Sequence, residues 1–310
     1  MNRPLISVII LNFRRPTELA RALESVRAQA YEPRELLVVD NASGDGSVNF
    51  VAQSFPEARV IALPENIGCG GRNRGVQAAQ GSFVVTIDND IRFNSPFELG
   101  KIVDAFERKP EASALAFKIL RDATGRLHLR DWCHPRSFHE YANVEFETCY
   151  IPEGACAFRR DDFLRTGGYY EPFRIGGEGD DLAYRMIDAG LRIFYCPQVE
   201  VRHSMSEETR AGRRPHYYYM RNHIWTAFRN YSGWRRWKFL TYSFALVGFF
   251  ALRTGNLREL YCGARDGLRG LSQIGPALLS EAGWRRLEEI NSHRPSWLTR
   301  LKTHWKQEDL

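Results

Sequence analysis

Runs of apolar, largely β-branched residues alternate with segments of helical periodicity through the N-terminal third of the chain. The run at residues 5–11, LISVIIL, is continuously apolar, which is typical of a parallel strand that is buried on both faces of its sheet. Strand, helix, strand, helix, strand is the order of a mostly parallel sheet with right-handed crossovers and helices on both faces. The predicted strands are residues 5–11, 35–40, 59–63 and 84–87, and the predicted helices are residues 17–30, with Thr17 as N-cap, and 48–55.

Acidic side chains end two of these predicted strands. Asp40 ends the second strand, and Asp88-Asn89-Asp90 follows the β-branched run at residues 84–87. Ligands of open α/β sheets bind at the carboxyl ends of the strands. Two carboxylates one residue apart can hold a hard divalent cation, which completes its shell with water and phosphate. The same pattern also occurs in turns, where Asp and Asn bond their own backbone. The motif alone leaves both interpretations open.

A glycine-rich loop precedes the strand that carries Asp88. Residues 66–75, NIGCGGRNRG, lead into a predicted helix at residues 76–80. Glycines let backbone amides approach an anion, the helix N-terminus favours negative charge, and Arg72 or Arg74 could contact phosphate. The glycine spacing fits neither the dinucleotide-binding nor the Walker A pattern. The loop therefore predicts an anion site of another class, with a solvated surface loop as the alternative.

Three acids, Glu178, Asp180 and Asp181, stand close together after two glycines and before a predicted helix at residues 182–189. Carboxylates this close repel one another, so at least one is expected to be paired, metal-linked or shifted in pKa. Helix capping would account for one of these acids and not for three. The cluster is therefore a second candidate centre.

Four segments together resemble the nucleotide-binding half of the family 2 glycosyltransferases, which have the GT-A fold. They are SVIILNF, LLVVDNASGDGS, ENIGCGGRNRG and VVTIDND, in this order and spacing. The resemblance is to bacterial enzymes that build surface polysaccharides, of the rhamnosyl- and galactosyltransferase type. It implies an α/β protein with a Rossmann-like, mostly parallel central sheet flanked by helices, here with a C-terminal helical extension.

The resemblance also implies which residues bind a sugar nucleotide. Asp40 would contact the nucleoside, and Asp88 and Asp90 would form the family's Asp-x-Asp metal motif. His203 ends a pair of short predicted strands at residues 191–197 and 199–203. A lone histidine is more often structural than a ligand, but in the family a histidine here can complete the metal site or contact the diphosphate. The other residues implied to line the donor pocket are Asn12, Asn66, Gly68, Arg72, Asn73 and Asn89.

For the acceptor side, the family pattern Glu-Asp-x-Asp-Leu supplies a carboxylate that serves as base toward the acceptor hydroxyl. This chain departs from the pattern, because the usual second acid falls on Gly179. The base could be Asp180, Asp181 or Glu178, and Asp180 is favoured narrowly.

The segment from Arg210 to Gly270 is strongly basic, with twelve Lys or Arg against two Asp or Glu. Such a surplus indicates an anionic partner. The uncharged run at residues 239–252 is shorter than the roughly twenty residues that span a bilayer. Trp and basic residues flank it, which is typical of an interfacial anchor on anionic lipid, with a buried core helix as the alternative. No nucleic-acid-binding motif accompanies the charge, so nucleic acid is not a predicted partner.

The remaining features of the sequence predict where the protein is located and how the chain is divided into units. A strand-like run follows Met1 to Pro4 directly, which predicts a cytoplasmic protein, peripheral on the inner face of the cell membrane if the basic segment binds lipid. The six cysteines show no zinc or disulfide spacing, which favours reduced thiols. The predicted units are a nucleotide-sugar half at residues 1–110, an acceptor half at 111–209 and a helical extension at 210–310.

The predicted function is an inverting, metal-dependent sugar transfer. The donor would be a UDP- or dTDP-sugar, the cofactor Mn²⁺ or Mg²⁺, and the acceptor a saccharide or lipid-linked saccharide. A sugar-nucleotide pyrophosphorylase is disfavoured, because such enzymes resemble one another in a glycine-rich N-terminal loop and residues 7–15 contain no glycine. Gly179 keeps a non-catalytic scaffold with a decayed site open as the alternative.

Overall fold

The computed structural model of the protein describes residues 3–129, 132–204 and 214–296. Within those residues, nine strands form one sheet. The strands are β1 (Ile6–Asn12), β2 (Arg34–Asp40), β3 (Ala58–Ala62), β4 (Phe83–Asp88), β5 (Ile91–Phe93), β6 (Ala112–Arg121), β7 (Phe146–Glu147), β8 (Ala155–Arg159) and β9 (Arg192–His203). The α-helices are α1 (Pro16–Arg27), α2 (Ser47–Ser54), α3 (Gly70–Ala78), α4 (Glu98–Arg108), α5 (Phe138–Tyr141), α6 (Arg160–Arg165), α7 (Glu178–Asp188), α8 (Pro215–Asn230), α9 (Gly233–Arg253), α10 (Leu257–Arg269) and α11 (Glu281–Asn291).

The sheet has a parallel half and a mixed half. Its strand order is β3-β2-β1-β4-β8-β6-β9-β5, and β7 pairs with β9. β1 runs parallel to both β2 and β4, whereas β8 runs antiparallel to β4 and β6. The register aligns Asn12 with Asp40 and Leu11 with Asp88, so the polar residues that end these strands lie side by side. The predicted α/β fold with a mostly parallel N-terminal sheet is confirmed.

Both faces of the sheet are covered, because the strands are apolar on both sides. Val8 and Ile10 of β1 belong to one buried cluster, and Ile9 belongs to the other. Residues of α1, α2 and α4 join the first cluster, and residues of α7 and α11 join the second. This double burial accounts for the continuous apolar runs in the sequence.

The structure corrects several predicted boundaries. α1 begins at Pro16 with Arg15 before it, so Thr17 is not its N-cap. α3 begins at Gly70, and most of the predicted glycine-rich loop is therefore helical. The two strands predicted at residues 191–203 are one strand, β9, whose pairing with β6 shifts register between Phe117 and Lys118.

The described residues between β6 and β8 include α5 and an aromatic cluster around Trp132. The indole of Trp132 is 7% exposed and packs edge-on against Phe138 and Tyr195. Trp132 therefore belongs to a small core of its own.

The C-terminal helices pack on the segment that carries the acid cluster: α11 lies against α7, and α8 lies against α7, α9 and α10. Asn222 of α8 donates hydrogen bonds to the backbone carbonyls of Phe173 and Ile175, in the loop before α7. Trp225 of α8 donates to the carbonyl of Gly267 in α10. Among the described residues, no helix has the length and apolar character needed to cross a membrane. α8 thus joins the C-terminal extension directly to the acid-bearing segment.

Candidate active site

A buried polar network joins the carboxyl ends of β1, β2 and β4. Asn12 Nδ2 donates to Asp40 Oδ1 at 2.7 Å, and Asn12 Oδ1 accepts from Asn89 Nδ2 at 2.8 Å. The Ser43 backbone amide donates to Asp40 Oδ2 at 3.0 Å. Asp40, Asn12 and Asn89 are each at most 6% exposed. The acid predicted to contact a nucleoside is therefore connected through Asn12 to the Asp-Asn-Asp motif.

The glycine-rich segment is held between two other parts of the chain. Asn41 donates to the carbonyl of Gly68 and accepts from the amide of Ile67. Gly68 has a positive φ of 62°, and a Cβ added there would collide with the backbone of Arg174. Asn66 accepts from the Gly68 amide at 2.9 Å, which shapes the same turn. Glycine is thus required at 68 for both conformation and space.

Arg72 is a buried cation between the two acidic centres. It is 5% exposed, forms an ion pair with Asp88, and lies 3.7 Å from Glu178 Oε1. Its neighbour Asn73 bonds both the amide and the carbonyl of Tyr169. Asn73, which the resemblance places in the donor pocket, therefore fixes α3 to the loop before α7. Arg72 links the Asp-Asn-Asp motif to the acid cluster.

Asp90 faces a different set of partners. Arg15 forms an ion pair with its carboxylate, and His203 Nε2 lies 3.6 Å from Asp90 Oδ2. Burial acts to raise the pKa of Asp90, but the hydrogen bond and charge of His203, together with Arg15, outweigh it and lower the pKa. The structure thus brings together Asp90 and His203, as predicted. Arg15 was not predicted to take part.

The donor atoms near Asp90 suit a divalent cation in part. Asp90 offers carboxylate oxygens and His203 an imidazole nitrogen, which are ligands that Mn²⁺ accepts. Asp88 is paired with Arg72 instead. Over the described residues no group of three or more His, Cys, Asp or Glu is assembled as a metal site. The donor set therefore fits a cation whose shell is completed by phosphate and water.

Asp181 has a structural environment. It is 0% exposed, and its carboxylate accepts from Arg185 at 2.8 Å, Arg229 at 2.6 Å and Asn230 at 2.9 Å. These donors come from α7 itself and from α8. Because both oxygens are engaged, Asp181 fixes α8 against the start of α7, which argues against its predicted role as the base.

The other two acids of the cluster carry raised pKa values. α7 begins at Glu178, so all three acids lie in its first turn and not before the helix. Burial, and then the charge of Glu153, raises the pKa of Glu178, whose Oε2 is buried without a hydrogen-bond partner among the described residues. Burial, and then Glu153, raises the pKa of Asp180 to about 7. Within the described ranges, Asp180 has no hydrogen-bond or ion-pair partner at its carboxylate.

Glu153 is a fourth acid of this cluster, and the sequence analysis missed it. Its Oε1 accepts from the backbone amide of Gly179 at 3.0 Å, and burial raises its pKa. The next residue, Gly154, lies against Asp88, since a Cβ at 154 would stand 2.5 Å from the Asp88 carboxyl carbon. The available signal was an acid that stands two residues before the apolar run of β8.

Comparison with known proteins decides the family. The profile of Glycosyl transferase family 2 matches residues 7–167. This span includes the polar network, Arg72, the Asp-Asn-Asp motif and Glu153. The chain belongs to glycosyl transferase family 2. The predicted family is confirmed.

Relatives of this family 2 protein include rhamnosyltransferases. O-antigen chain rhamnosyltransferase WbaN of Salmonella anatum is 29% identical over 185 residues, which cover 57% of this chain and 58% of that protein. The N-acetylglucosaminyl-diphospho-decaprenol L-rhamnosyltransferase of Mycobacterium tuberculosis is 25% identical over 292 residues, which cover 81% of this chain and 92% of that protein.

Solved structures of similar fold extend over almost the whole family 2 chain. The mannosyltransferase PcManGT from Pyrobaculum calidifontis, in complex with GDP-Man and Mn²⁺, has a TM-score of 0.57 at 19% identity and covers 99% of this chain and 89% of that one. S. aureus TarS 1-349, in complex with UDP-GlcNAc, has a TM-score of 0.59 at 15% identity and covers 97% and 91%. At these identities the likeness concerns the fold, and it confirms the predicted GT-A architecture.

Proposed function

We propose that the protein transfers a sugar from a nucleoside-diphosphate sugar to a hydroxyl group of a saccharide or lipid-linked saccharide. The observation that carries the proposal is the arrangement of two polar centres around Arg72. One centre is the network from Asp40 to the Asp-Asn-Asp motif, and the other is the acid cluster at the start of α7. Sugar transfer needs one site that binds the donor and another that accepts a proton.

The donor end is proposed to hold the nucleoside near Asp40 and the diphosphate near Asp90. Asp90 and His203 would hold Mn²⁺ or Mg²⁺, and Asp88 would join them on release from Arg72. When bound, such a cation would supply positive charge to the departing diphosphate. PcManGT contains GDP-Man and Mn²⁺, which supports a divalent cation in this chain. UDP- and dTDP-sugars remain the first donors to try.

The acceptor end is proposed to act by a single displacement. The acceptor oxygen forms a bond to the anomeric carbon while the bond from that carbon to the diphosphate oxygen breaks. The leaving nucleoside diphosphate takes the electron pair, and a carboxylate takes the hydroxyl proton. One displacement inverts the anomeric configuration, as in inverting hydrolases. Among the three predicted acids, Asp180 is the one whose carboxylate has neither an ion pair nor a hydrogen bond within the described residues.

The acceptor is proposed to be presented at an anionic membrane surface. α9 exposes Trp234 at 63%, Trp237 at 62% and Leu252 at 66%. Lys238, on the same helix, is also exposed. Large apolar side chains beside cations suit the interface of anionic lipid. The name of the mycobacterial relative, which includes a diphospho-decaprenol saccharide, supports a lipid-linked acceptor.

A thermal-shift panel tests the donor half of this proposal. Each of several UDP-, dTDP- and GDP-sugars is added with and without Mn²⁺. A specific donor at 100 times its Kd stabilises the native state by about 2.7 kcal/mol, so one nucleotide class should raise Tm more than the others. The rise should be larger with Mn²⁺. Equal Tm with every nucleotide sugar would contradict the proposal.

A further inference from the structure

The acid that the family pattern has at position 179 is replaced by glycine, and the structure shows why no acid fits there. A Cβ added to Gly179 would collide with the carbonyl oxygen of Ile151. It would also stand 2.8 Å from Glu153 Oε1, which is closer than carbon and oxygen pack. The space in which a side chain at 179 would begin is therefore filled.

One of the two groups that fill this space is a carboxylate, and the other is the Ile151 carbonyl. Glu153 Oε1 accepts from the Gly179 amide at 3.0 Å, so the carboxylate lies at the N-terminus of α7. It comes from the segment before β8, whose next residue, Gly154, lies against the Asp88 carboxylate. Glu153 thus stands between the start of α7 and the metal motif. Glu178 Oε2, a buried atom without a hydrogen-bond partner in the part of the chain that the structure describes, belongs to the same cluster.

The three acids of α7 are placed less well for the reacting hydroxyl. Both oxygens of Asp181 are engaged by its arginine and asparagine donors. Glu178 is 3% exposed and lies beside Arg72. No hydrogen bond or ion pair among the described residues orients the carboxylate of Asp180, whereas the Gly179 amide orients that of Glu153.

We propose that Glu153 is the base of the transfer reaction and takes the place of the acid missing at 179. This assignment rests on the function proposed above. The Glu153 carboxylate receives the proton of the acceptor hydroxyl as that oxygen bonds to the anomeric carbon. The bond to the nucleoside diphosphate breaks in the same step, and the diphosphate leaves with the electron pair. The base is thus supplied by the segment before β8 and not by α7.

The test compares Glu153→Gln with the matched variant Glu107→Gln, at an exposed glutamate of α4. Gln keeps a side-chain oxygen that can accept from the Gly179 amide, so a purely structural role of Glu153 would survive the substitution. As general base catalysis contributes at least about 100-fold, the initial rate of transfer by Glu153→Gln should fall by that factor. Its donor affinity should stay at the wild-type value. Glu107→Gln should keep the wild-type rate. Full activity of Glu153→Gln together with loss of transfer by Asp180→Asn would assign the base to Asp180 instead.

Rescue separates a missing base from a local distortion. Glu153→Ala should regain transfer activity when formate is added, because a free carboxylate can enter the vacated space and take the proton. Glu107→Ala, which vacates no space near the site, should not respond to formate. If the wild-type protein transfers sugar and Glu153→Gln is equally active, the assignment of Glu153 as the base is wrong and the proposed function stands. A wild-type protein that transfers no sugar overturns the proposed function, and the assignment with it.

Discussion

Asp180 and Asp181 are neighbours in the first turn of α7, and we expect asparagine at the two positions to change stability in opposite directions. The carboxylate of Asp180 has no hydrogen-bond or ion-pair partner within the described residues, and burial raises its pKa. Asp181 accepts from Arg185, Arg229 and Asn230. Asparagine keeps the side-chain shape and removes the charge. Asparagine at 180 should therefore stabilise the protein, because it removes an unfavourable ionisation. Asparagine at 181 should destabilise it, because buried cations lose their partner.

The magnitudes follow from the environment of each carboxylate. The pKa of Asp180 rises from 3.8 to about 7. Because one pKa unit corresponds to about 1.4 kcal/mol, ionisation of Asp180 reduces the free energy of unfolding by at most about 4 kcal/mol. Because the folded pKa is the higher one, this penalty is absent below about pH 4, grows as pH rises, and is complete above about pH 7. Breaking the buried pairs of Asp181 should destabilise by about 3–5 kcal/mol.

Equilibrium urea unfolding at pH 5 and pH 8 measures both effects. Asp180→Asn should be more stable than wild type, and by about 2–3 kcal/mol more at pH 8 than at pH 5. Asp181→Asn should be less stable than wild type at both values. A difference for Asp180→Asn that does not grow with pH would refute the reasoning on its burial, and an Asp181→Asn protein as stable as wild type would refute the structural role of Asp181.

Two further predictions concern the metal and the membrane. Asp90→Ala should lose the increase in donor affinity that Mn²⁺ gives, measured by titration calorimetry. The control Asp104→Ala, at an exposed aspartate of α4, should keep this increase. Full turnover of Asp90→Ala in chelator would contradict the metal role. The double variant Trp234→Ser, Trp237→Ser should bind vesicles of anionic lipid more weakly than wild type, by on the order of tenfold or more. The control Phe97→Ser, which changes an exposed residue of another region, should bind them as wild type does. Unchanged cosedimentation of the double variant with the vesicles would exclude α9 as the contact.

The parallel half of the sheet could be predicted because its signal is local. β1, β2 and β4 each contain a largely apolar run, and the polar residue that ends it is adjacent in sequence. Parallel pairing then places Asn12 beside Asp40 without further information. The family resemblance supplied the roles of these residues, which the pattern of strands alone could not have assigned.

The glycine-rich segment shows where local signals misled. Glycine is a poor helix former, so the sequence favoured a loop at residues 66–75, but α3 begins at Gly70. A Cβ on Gly71 would stand 2.5 Å from a methyl group of Leu11, and one on Gly75 would collide with Ile9. These glycines serve close packing of the helix on β1 and β2, which only the tertiary structure reveals.

The missed residues share a physical reason. Glu153 reaches the start of α7 because β8 lies antiparallel beside β4. Arg15 follows β1, which lies beside β4 on its other edge, and so reaches Asp90. Strand order beyond the parallel half is not encoded in hydrophobic periodicity. Gly179 was read as a lost acid, although the space is filled by an acid from another segment.

Sugar transfer with inversion is the central claim, and the configuration of the first product tests it most directly. With the donor found in the thermal-shift panel, ¹H NMR follows the anomeric proton of the donor and of the newly linked sugar during the first turnovers. A single displacement predicts that the new linkage has the opposite anomeric configuration to the donor, with one nucleoside diphosphate released per linkage. A product that retains the donor's configuration would contradict the account.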